Sequence, residues 1–312
     1  MKEIGGYIEL DSFTGKMLYE DSIKLNCGRN ALAYLIEVNN IKKIVTPKFM
    51  CDSCNKVLWD RNVSVRYYSI GLDFKPIDLK KEDDEWIYIV NFYGQLSNDY
   101  LANIYDNYTI IDNAQAYFQP LKNINTLYTC RKFVGVADGA ILYCNKRQNI
   151  IEQDEFYNRM NFLLGRYERT ASEFYDEYSK NNKFFLNEAI KKMSKLTLNI
   201  LYGLDYKLIE ERRTKNFEYL YNFFKNINKC NLLIPSGAYM YPLYMENGSK
   251  IRKELQKKKI YIPTLWPAVF DICKENELEY SMAKDILSLP VDQRYMIDDM
   301  KYVVSEVMKC IS

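Results

Sequence analysis

Tyr108-Thr109-Ile110-Ile111-Asp112-Asn113-Ala114-Gln115-Ala116 joins a β-branched run to an acid, and the acid to small and amide side chains. The run predicts a buried strand over 108–111 that ends on Asp112. Upstream, Ile41–Thr46 and Val63–Ile70 read as strands, and Trp86–Tyr93 reads as a buried-strand run. Before the first of them, Gly28–Val38 carries Leu32, Leu35 and Ile36 on one helical face, and between the first two Asp52–Asp60 can be helical. Ser97 can cap a helix carrying Leu101 and Ile104. Downstream, Gly139–Cys144 is another strand. Strands and helices that alternate at these lengths predict an α/β fold with a mostly parallel sheet and right-handed crossovers. In such sheets ligands bind beyond the carboxyl ends of the strands, so polar residues just after strands are the first candidates for a site.

The remainder has a different pattern. Residues 151–226 are rich in helix formers, and Phe217, Leu220, Tyr221 and Phe224 form a helical stripe. Short strand-like pieces follow at Leu232–Ile234, Met240–Tyr244 and Ile260–Pro263, then a helix over Asp298–Met308. The expected division is a large domain over 1–205 and a long helix with a small α+β domain over 206–312. The N-terminal segment is expected to pack on the small domain. Lys257-Lys258-Lys259 suits a helix end, where cations complement the dipole.

Composition narrows the chemistry. The 312 residues include 28 tyrosines, 15 phenylalanines and no histidine. Ser-His-Asp and Cys-His nucleophile pairs, His-containing zinc sites and imidazole proton shuttles are therefore excluded. A net charge of +2 gives no broad electrostatic case for nucleic acid or an anionic membrane as partner. The start lacks the apolar core of a secretory signal, and no run reaches the roughly 20 apolar residues of a membrane span. Eight scattered cysteines fit reduced, mostly buried thiols, so the expected location is the cytoplasm.

Three strand-end segments carry the candidate chemistry. Asn26-Cys27-Gly28-Arg29-Asn30-Ala31-Leu32 opens a helix with glycine and polar residues. Free N–H groups and the dipole there suit phosphate, with Arg29 and Asn30 as added donors; the alternative is an ordinary helix start. Asp112 can hydrogen-bond a protonated ring nitrogen, and Ala114 leaves room for a flat ring; the alternative is an Asx turn. In Thr129-Cys130-Arg131-Lys132-Phe133-Val134-Gly135-Val136-Ala137-Asp138-Gly139-Ala140, Lys132 sits between two strands. A lysine beside cationic or apolar neighbours can form a Schiff base; the alternative is a solvated loop lysine.

The order and spacing of these segments resemble fold-type I pyridoxal-phosphate enzymes, and most closely the DegT/DnrJ-type sugar aminotransferases. Gly28-Arg29-Asn30-Ala31-Leu32 is similar to the family's Ser-Gly-Thr-x-Ala-Leu phosphate turn. Asp112-Asn113-Ala114-Gln115 resembles its Asp-x-Ala-Gln/His strand end. Lys132 with Ala137-Asp138-Gly139-Ala140 resembles its lysine followed by Gly-Glu-Gly-Gly. Val90-Asn91-Phe92-Tyr93-Gly94-Gln95 and Met193-Ser194 look like its Val-His-x-x-Gly-Gln and Asn-Tyr-Arg-Met-Ser segments. Arg29-Asn30 replaces the Thr-x of the phosphate turn, and Ile190-Lys191-Lys192 replaces Asn-Tyr-Arg.

The resemblance implies a fold-type I large domain, pyridoxal 5'-phosphate as cofactor, and amino transfer from an amino acid, usually glutamate, to a nucleotide-linked keto-sugar. Polysaccharide or secondary-metabolite biosynthesis is the implied setting. It implies Lys132 as the Schiff-base residue and Asp112 as the partner of the ring nitrogen. Ala114 and Gln115 would contact the ring, Gly28, Arg29, Asn30 and Thr129 the phosphate, and Phe49 and Cys51 the ring face. Asn91, Tyr93 and Lys192 become substrate-side candidates, and a homodimer with sites at its interface is implied. Dehydratase offshoots of the family carry histidine in place of the lysine, so Lys132 favours transamination.

Arg294 can match a donor carboxylate bidentately, or pair with Asp298 or Asp299 one helical turn on. Cys51-Asp52-Ser53-Cys54 can be a redox pair at a helix start; no second Cys-x-x-Cys stands with it, so no metal site is expected. A dinucleotide fold needs Gly-x-Gly-x-x-Gly, and only Gly28 stands at the turn. A non-catalytic homologue that binds the cofactor or a sugar nucleotide is the remaining alternative.

Overall fold

The computed structural model describes residues 4–121 and 124–311. An eight-stranded sheet forms the centre. Its strands are β1 (Ile23–Leu25), β2 (Lys43–Pro47), β3 (Ser64–Ile70), β4 (Pro76–Ile77), β5 (Trp86–Val90), β6 (Thr109–Asp112), β7 (Thr126–Thr129) and β8 (Ala140–Tyr143). The spatial order is β1-β8-β7-β6-β5-β2-β3-β4. The run β3-β2-β5-β6-β7 is parallel, whereas β8 is antiparallel to both β7 and β1. Two reversals make β1 parallel to β7, so β1 ends on the same edge of the sheet as the five parallel strands. Ile87, Tyr88, Ile89 and Val90 pair in register with Thr109, Ile110, Ile111 and Asp112, all of them buried. Burial on both faces is why these strands read as continuous apolar runs without alternation.

Helices α1 (Gly28–Asn39), α2 (Asp52–Asp60) and α3 (Asn98–Ile104) follow the strands as expected. The Ser97 hydroxyl caps α3 by accepting from the Tyr100 N–H at 3.2 Å. Then come α4 (Asn161–Glu168), α5 (Tyr175–Phe184), α6 (Lys195–Tyr202) and the long α7 (Tyr206–Phe224). The strand expected over 86–93 stops at Val90, because Phe92–Gly94 turns as a 3-10 helix with Tyr93 at φ 53° and Gly94 at φ 73°.

Beyond α7, β9 (Met240–Tyr244) pairs antiparallel with β10 (Ile286–Pro290). With α8 (Gly248–Lys257) and a last helix they enclose a second core of Phe217, Leu220, Leu243, Leu255, Leu289 and Val303. Helices α9 (Val269–Ile272), α10 (Leu278–Asp285) and α11 (Ile297–Ile311) complete the chain. Trp266, Val269, Met282 and Ala283 pack into the sheet's core instead of the second one. Leu232–Ile234 and Ile260–Pro263 are not strands. The Leu233 N–H is taken by the Gln95 side-chain carbonyl at 2.8 Å, and Pro235 and Pro263 interrupt any ladder. The partner of β9 is β10, which the sequence reading missed. The N-terminal segment meets α6: the Phe13 N–H and Asp11 carbonyl bond the Asn199 side chain, and the Phe13 ring lies against Gly203. No described helix is long and apolar enough to cross a membrane.

Candidate active site

Four strands bring the candidate residues to one edge of the sheet. Asp112 closes β6, Lys132 lies three residues past β7, Cys51 lies four residues past β2, and Gly28 starts α1 after β1. Asp112 is buried, and both its oxygens accept hydrogen bonds. The Tyr88 hydroxyl donates to Oδ2 at 2.7 Å and the Ala114 N–H donates to Oδ1 at 2.8 Å. Donors on both oxygens fix the plane of the carboxyl group. Tyr88, inside β5, was not among the expected site residues; only the parallel register across β5 and β6 reveals it.

Gln115 is buried and oriented by its neighbour: its Oε1 accepts the Tyr93 N–H at 2.8 Å, leaving its amide N–H groups as donors. The half-buried Cys51 thiol lies close enough to feel both Lys132, which stabilises its anion, and Asp112, which opposes it. One thiol thereby ties together residues 51, 112 and 132.

The start of α1 has no side-chain cap, and no acidic side chain stands in its first turn. The first N–H of the helix paired to a backbone carbonyl is that of Ala31, which donates to Cys27 at 3.0 Å. A Cβ on Gly28 would come within 3.9 Å of the Thr129 side chain, so the end of β7 faces the helix start. Burial pushes the Cys27 thiol up. The N–H groups of Asn30 and Arg29 and the guanidiniums of Arg29 and Arg131 pull it back. Donors and two cations therefore converge on this corner. Among the described residues, the Arg29 Nε is buried without a hydrogen-bond partner. Arg131 bonds Asn182 and lies 4.9 Å over the Phe185 ring. Its contacts with residues about fifty positions away bring Arg131 to this corner, and no local pattern contains them.

Lys132 ends a 3-10 turn, Cys130–Lys132, and is exposed. Its Nζ lies 5.4 Å over the Tyr239 ring, a cation–π contact, and among the described residues it makes no hydrogen bond or ion pair. The loop returns to β8 through Gly139 at φ +115°, whose N–H donates to the Asn26 carbonyl at 2.6 Å. Asp138, fully buried, accepts from the Ser194 N–H at 2.7 Å, the Ser194 hydroxyl at 2.8 Å and the Thr197 hydroxyl. Ser194 also caps α6. Burial raises the Asp138 carboxyl against these three donors.

A Cβ at Gly139 would lie 3.1 Å from the Thr197 side chain and 3.2 Å from that of Cys130. Gly139→Ala is therefore expected to cost on the order of 1–3 kcal/mol from backbone strain. A urea midpoint unchanged from wild type would refute this.

Several expected contacts are not formed. The Asn30 amide donates to the Asn26 side chain and to the Glu188 and Ala189 carbonyls, so its backbone N–H is what remains for an anion. Phe49 is fully buried, packed on Phe92 and Trp266, whereas Cys51 borders the site. Asn91 is fully buried: its amide donates to Leu96, Asn113 and Gln119, and its carbonyl accepts the Leu96 N–H. Tyr93 is fully buried too, its hydroxyl 2.8 Å from Ser288 Oγ. Both side chains are thus engaged by other groups of the chain. Lys192 bridges to Leu25 and Gln153 through its backbone. Arg294 is paired, but with Asp292 two residues before it, through Nε at 2.6 Å and Nη2 at 2.8 Å, and not with Asp298 or Asp299.

No protein-family model and no curated protein matches the sequence. Solved structures do match. A DegT DnrJ EryC1 StrS aminotransferase from Brucella abortus superposes with a TM-score of 0.60 at 14% identity, covering 93% of this chain and 86% of that one. A sugar aminotransferase from Micromonospora echinospora gives 0.63 at 12% identity over 92% and 86%. NtdA from Bacillus subtilis, solved with bound cofactor PMP, gives 0.61 at 13% identity over 92% and 72%. At such identities the likeness is one of fold. Over nearly its whole length this chain has the fold of the DegT/DnrJ/EryC1/StrS aminotransferases.

Proposed function

We propose that this protein is a pyridoxal-phosphate-dependent aminotransferase that moves an amino group from an amino acid, glutamate by preference, to a nucleotide-linked keto-sugar. The observation that carries this reading is the partnerless buried Arg29 Nε at an uncapped helix start. It lies on the same sheet edge as a doubly hydrogen-bonded Asp112 and as Lys132, which makes no hydrogen bond or ion pair among the described residues. An orphaned donor beside free helix N–H groups suits a phosphate.

Bound pyridoxal phosphate supplies an electron sink for a carbon that loses its proton. The chain's own residues supply the rest. The Asp112 carboxylate, held by Tyr88 and Ala114, keeps a proton on the ring nitrogen. Ala114 leaves space at the ring face, and the free Gln115 N–H groups donate to a ring or phosphate oxygen. The N–H groups of Gly28, Arg29 and Asn30, the Arg29 guanidinium and the Thr129 hydroxyl bind the phosphate. The Lys132 Nζ carries the proton between carbon centres, a role open to lysine in a chain without histidine. A homodimer is part of the same reading. Tyr157, Leu164, Tyr167, Tyr175 and Leu186 stand exposed around α4 and α5, an apolar surface that suits a second copy.

Protein mixed with cofactor is expected to turn yellow and to bleach with glutamate. A colourless protein overturns the reading, and yellow without bleaching favours a non-catalytic binder. Removing a charge-assisted hydrogen bond costs about 1.5–3 kcal/mol. Arg29→Ala should therefore weaken cofactor binding about ten- to hundredfold. A spectrophotometric titration superimposable on wild type would take Arg29 out of the phosphate site.

A further inference from the structure

Cys51 and Cys54 lie on the same sheet edge, and the proposed transamination leaves their chemistry unused. Cys51 precedes α2 and Cys54 sits in its first turn. Their sulfurs are 3.2 Å apart, and the Ser53 hydroxyl is also 3.2 Å from the Cys51 sulfur. The Cys54 sulfur lies 3.7 Å from the Tyr88 hydroxyl, which donates to Asp112. The two thiols differ in kind. The hydrogen bond between the two sulfurs, with help from Ser53 and Lys132 against burial, holds the Cys51 thiol below its ordinary range. The same hydrogen bond and burial push the Cys54 thiol up. Cys51 is half-buried, whereas Cys54 is buried. A disulfide needs sulfurs about 2.05 Å apart, so closure asks for about 1.2 Å of movement between side chains already in contact.

We propose that Cys51 and Cys54 form a reversible dithiol–disulfide pair in the wall of the cofactor pocket, oxidised by exchange with a small-molecule disulfide, and that closing the bond weakens cofactor binding. The Cys51 thiolate attacks one sulfur of the small disulfide, and the other sulfur leaves as a thiolate and takes up a proton. Cys54 gives its proton to solvent and attacks the Cys51 sulfur of the mixed disulfide, expelling the second small thiol. The pair loses two electrons and two protons, and the small disulfide gains them as two thiols. Closure removes the thiolate charge beside Lys132 and Asp112 and the Cys54 thiol beside Tyr88. The control of cofactor binding rests on the aminotransferase reading; the thiol exchange does not.

The test begins on protein without added cofactor, equilibrated in glutathione buffers of rising oxidised fraction, quenched in acid, alkylated and digested with trypsin. Residues 49–56 are released as one peptide between Lys48 and Lys56 and hold both cysteines. The expected product is that peptide lighter by two hydrogens, returned to the dithiol by excess reduced glutathione. Cys54→Ser should stop at a glutathione adduct on Cys51, and Cys51→Ser should form no adduct at residue 54 at a comparable rate. No closed bond at the oxidised limit, or first attachment at Cys54, overturns the proposal. Cofactor is then titrated into the reduced and the closed protein and followed by absorbance. The closed form should bind several-fold more weakly. Equal affinities overturn the coupling. Protein colourless in both forms overturns the coupling together with the cofactor reading, while the exchange measured without cofactor stands as its own result.

Discussion

Lys132→Ala is expected to yield a folded protein that gives no borohydride-reducible yellow adduct and almost no turnover. The exposed lysine makes a single cation–π contact, with Tyr239, and among the described residues no hydrogen bond, so its removal leaves stability within about 0.5 kcal/mol. A urea melt checks that half. The catalytic loss is far larger. Proton transfer by a positioned side chain contributes about 10²–10⁴-fold, and losing the attachment point adds to it. With no histidine in the chain, no imidazole can substitute. Mass spectrometry after borohydride reads the outcome. A reducible adduct persisting at another lysine in the mutant sinks the assignment of Lys132.

Asp112→Asn is expected to keep the fold and lose turnover by about 10²–10⁴-fold. The amide can preserve the local bonds. Its carbonyl accepts the Ala114 N–H, and its NH2 donates to a Tyr88 hydroxyl turned to accept. The substitution removes the negative charge that, in the proposed reading, would hold a proton on the ring nitrogen and so sustain the ring's capacity to accept electrons. Cofactor should still bind, with an altered absorption band, because the phosphate contacts proposed for Gly28, Arg29 and Thr129 are untouched. Near-normal transamination by Asp112→Asn would remove Asp112 from its role. A mutant that fails to fold is separated from one that fails in chemistry by repeating the measurement with Asp112→Glu, which retains the charge but displaces it.

The parallel sheet could be read from the sequence because its strands are buried on both faces. Ile87–Val90 and Ile110–Ile111 are nearly uninterrupted apolar runs, and helices with apolar stripes separate them. The second core was harder to read. Met240–Tyr244 was recognisable as a strand, but its partner Ile286–Pro290 follows a helix directly and ends in proline, without turn residues to announce it. Leu232–Ile234 has strand composition, yet its Leu233 N–H bonds the Gln95 side chain, a contact 138 residues away that no local pattern contains. Tyr93 shows the same limit at the site. Its hydroxyl resembles a substrate contact in sequence, but a left-handed backbone turns the ring into the core beside Ser288.

The amino-acid sequence alone limits which chemistry is possible. It excluded imidazole, placed an acid at a strand end, set a lysine 20 residues later and put a glycine at a helix start. Those are properties of residue type and spacing, and strand-helix alternation carries them to one edge of a parallel sheet. The tertiary structure decided which side chains are free to act. It spent the amides of Asn30 and Asn91 on backbone carbonyls and neighbouring side chains, and it closed Arg294 onto Asp292. It also left the Arg29 Nε without a partner, brought Arg131 to the helix start, and set Tyr88 and the Cys51–Cys54 pair against Asp112. The physical reason is that a polar group's availability depends on whether a partner from elsewhere in the chain has already satisfied it, and packing alone determines that.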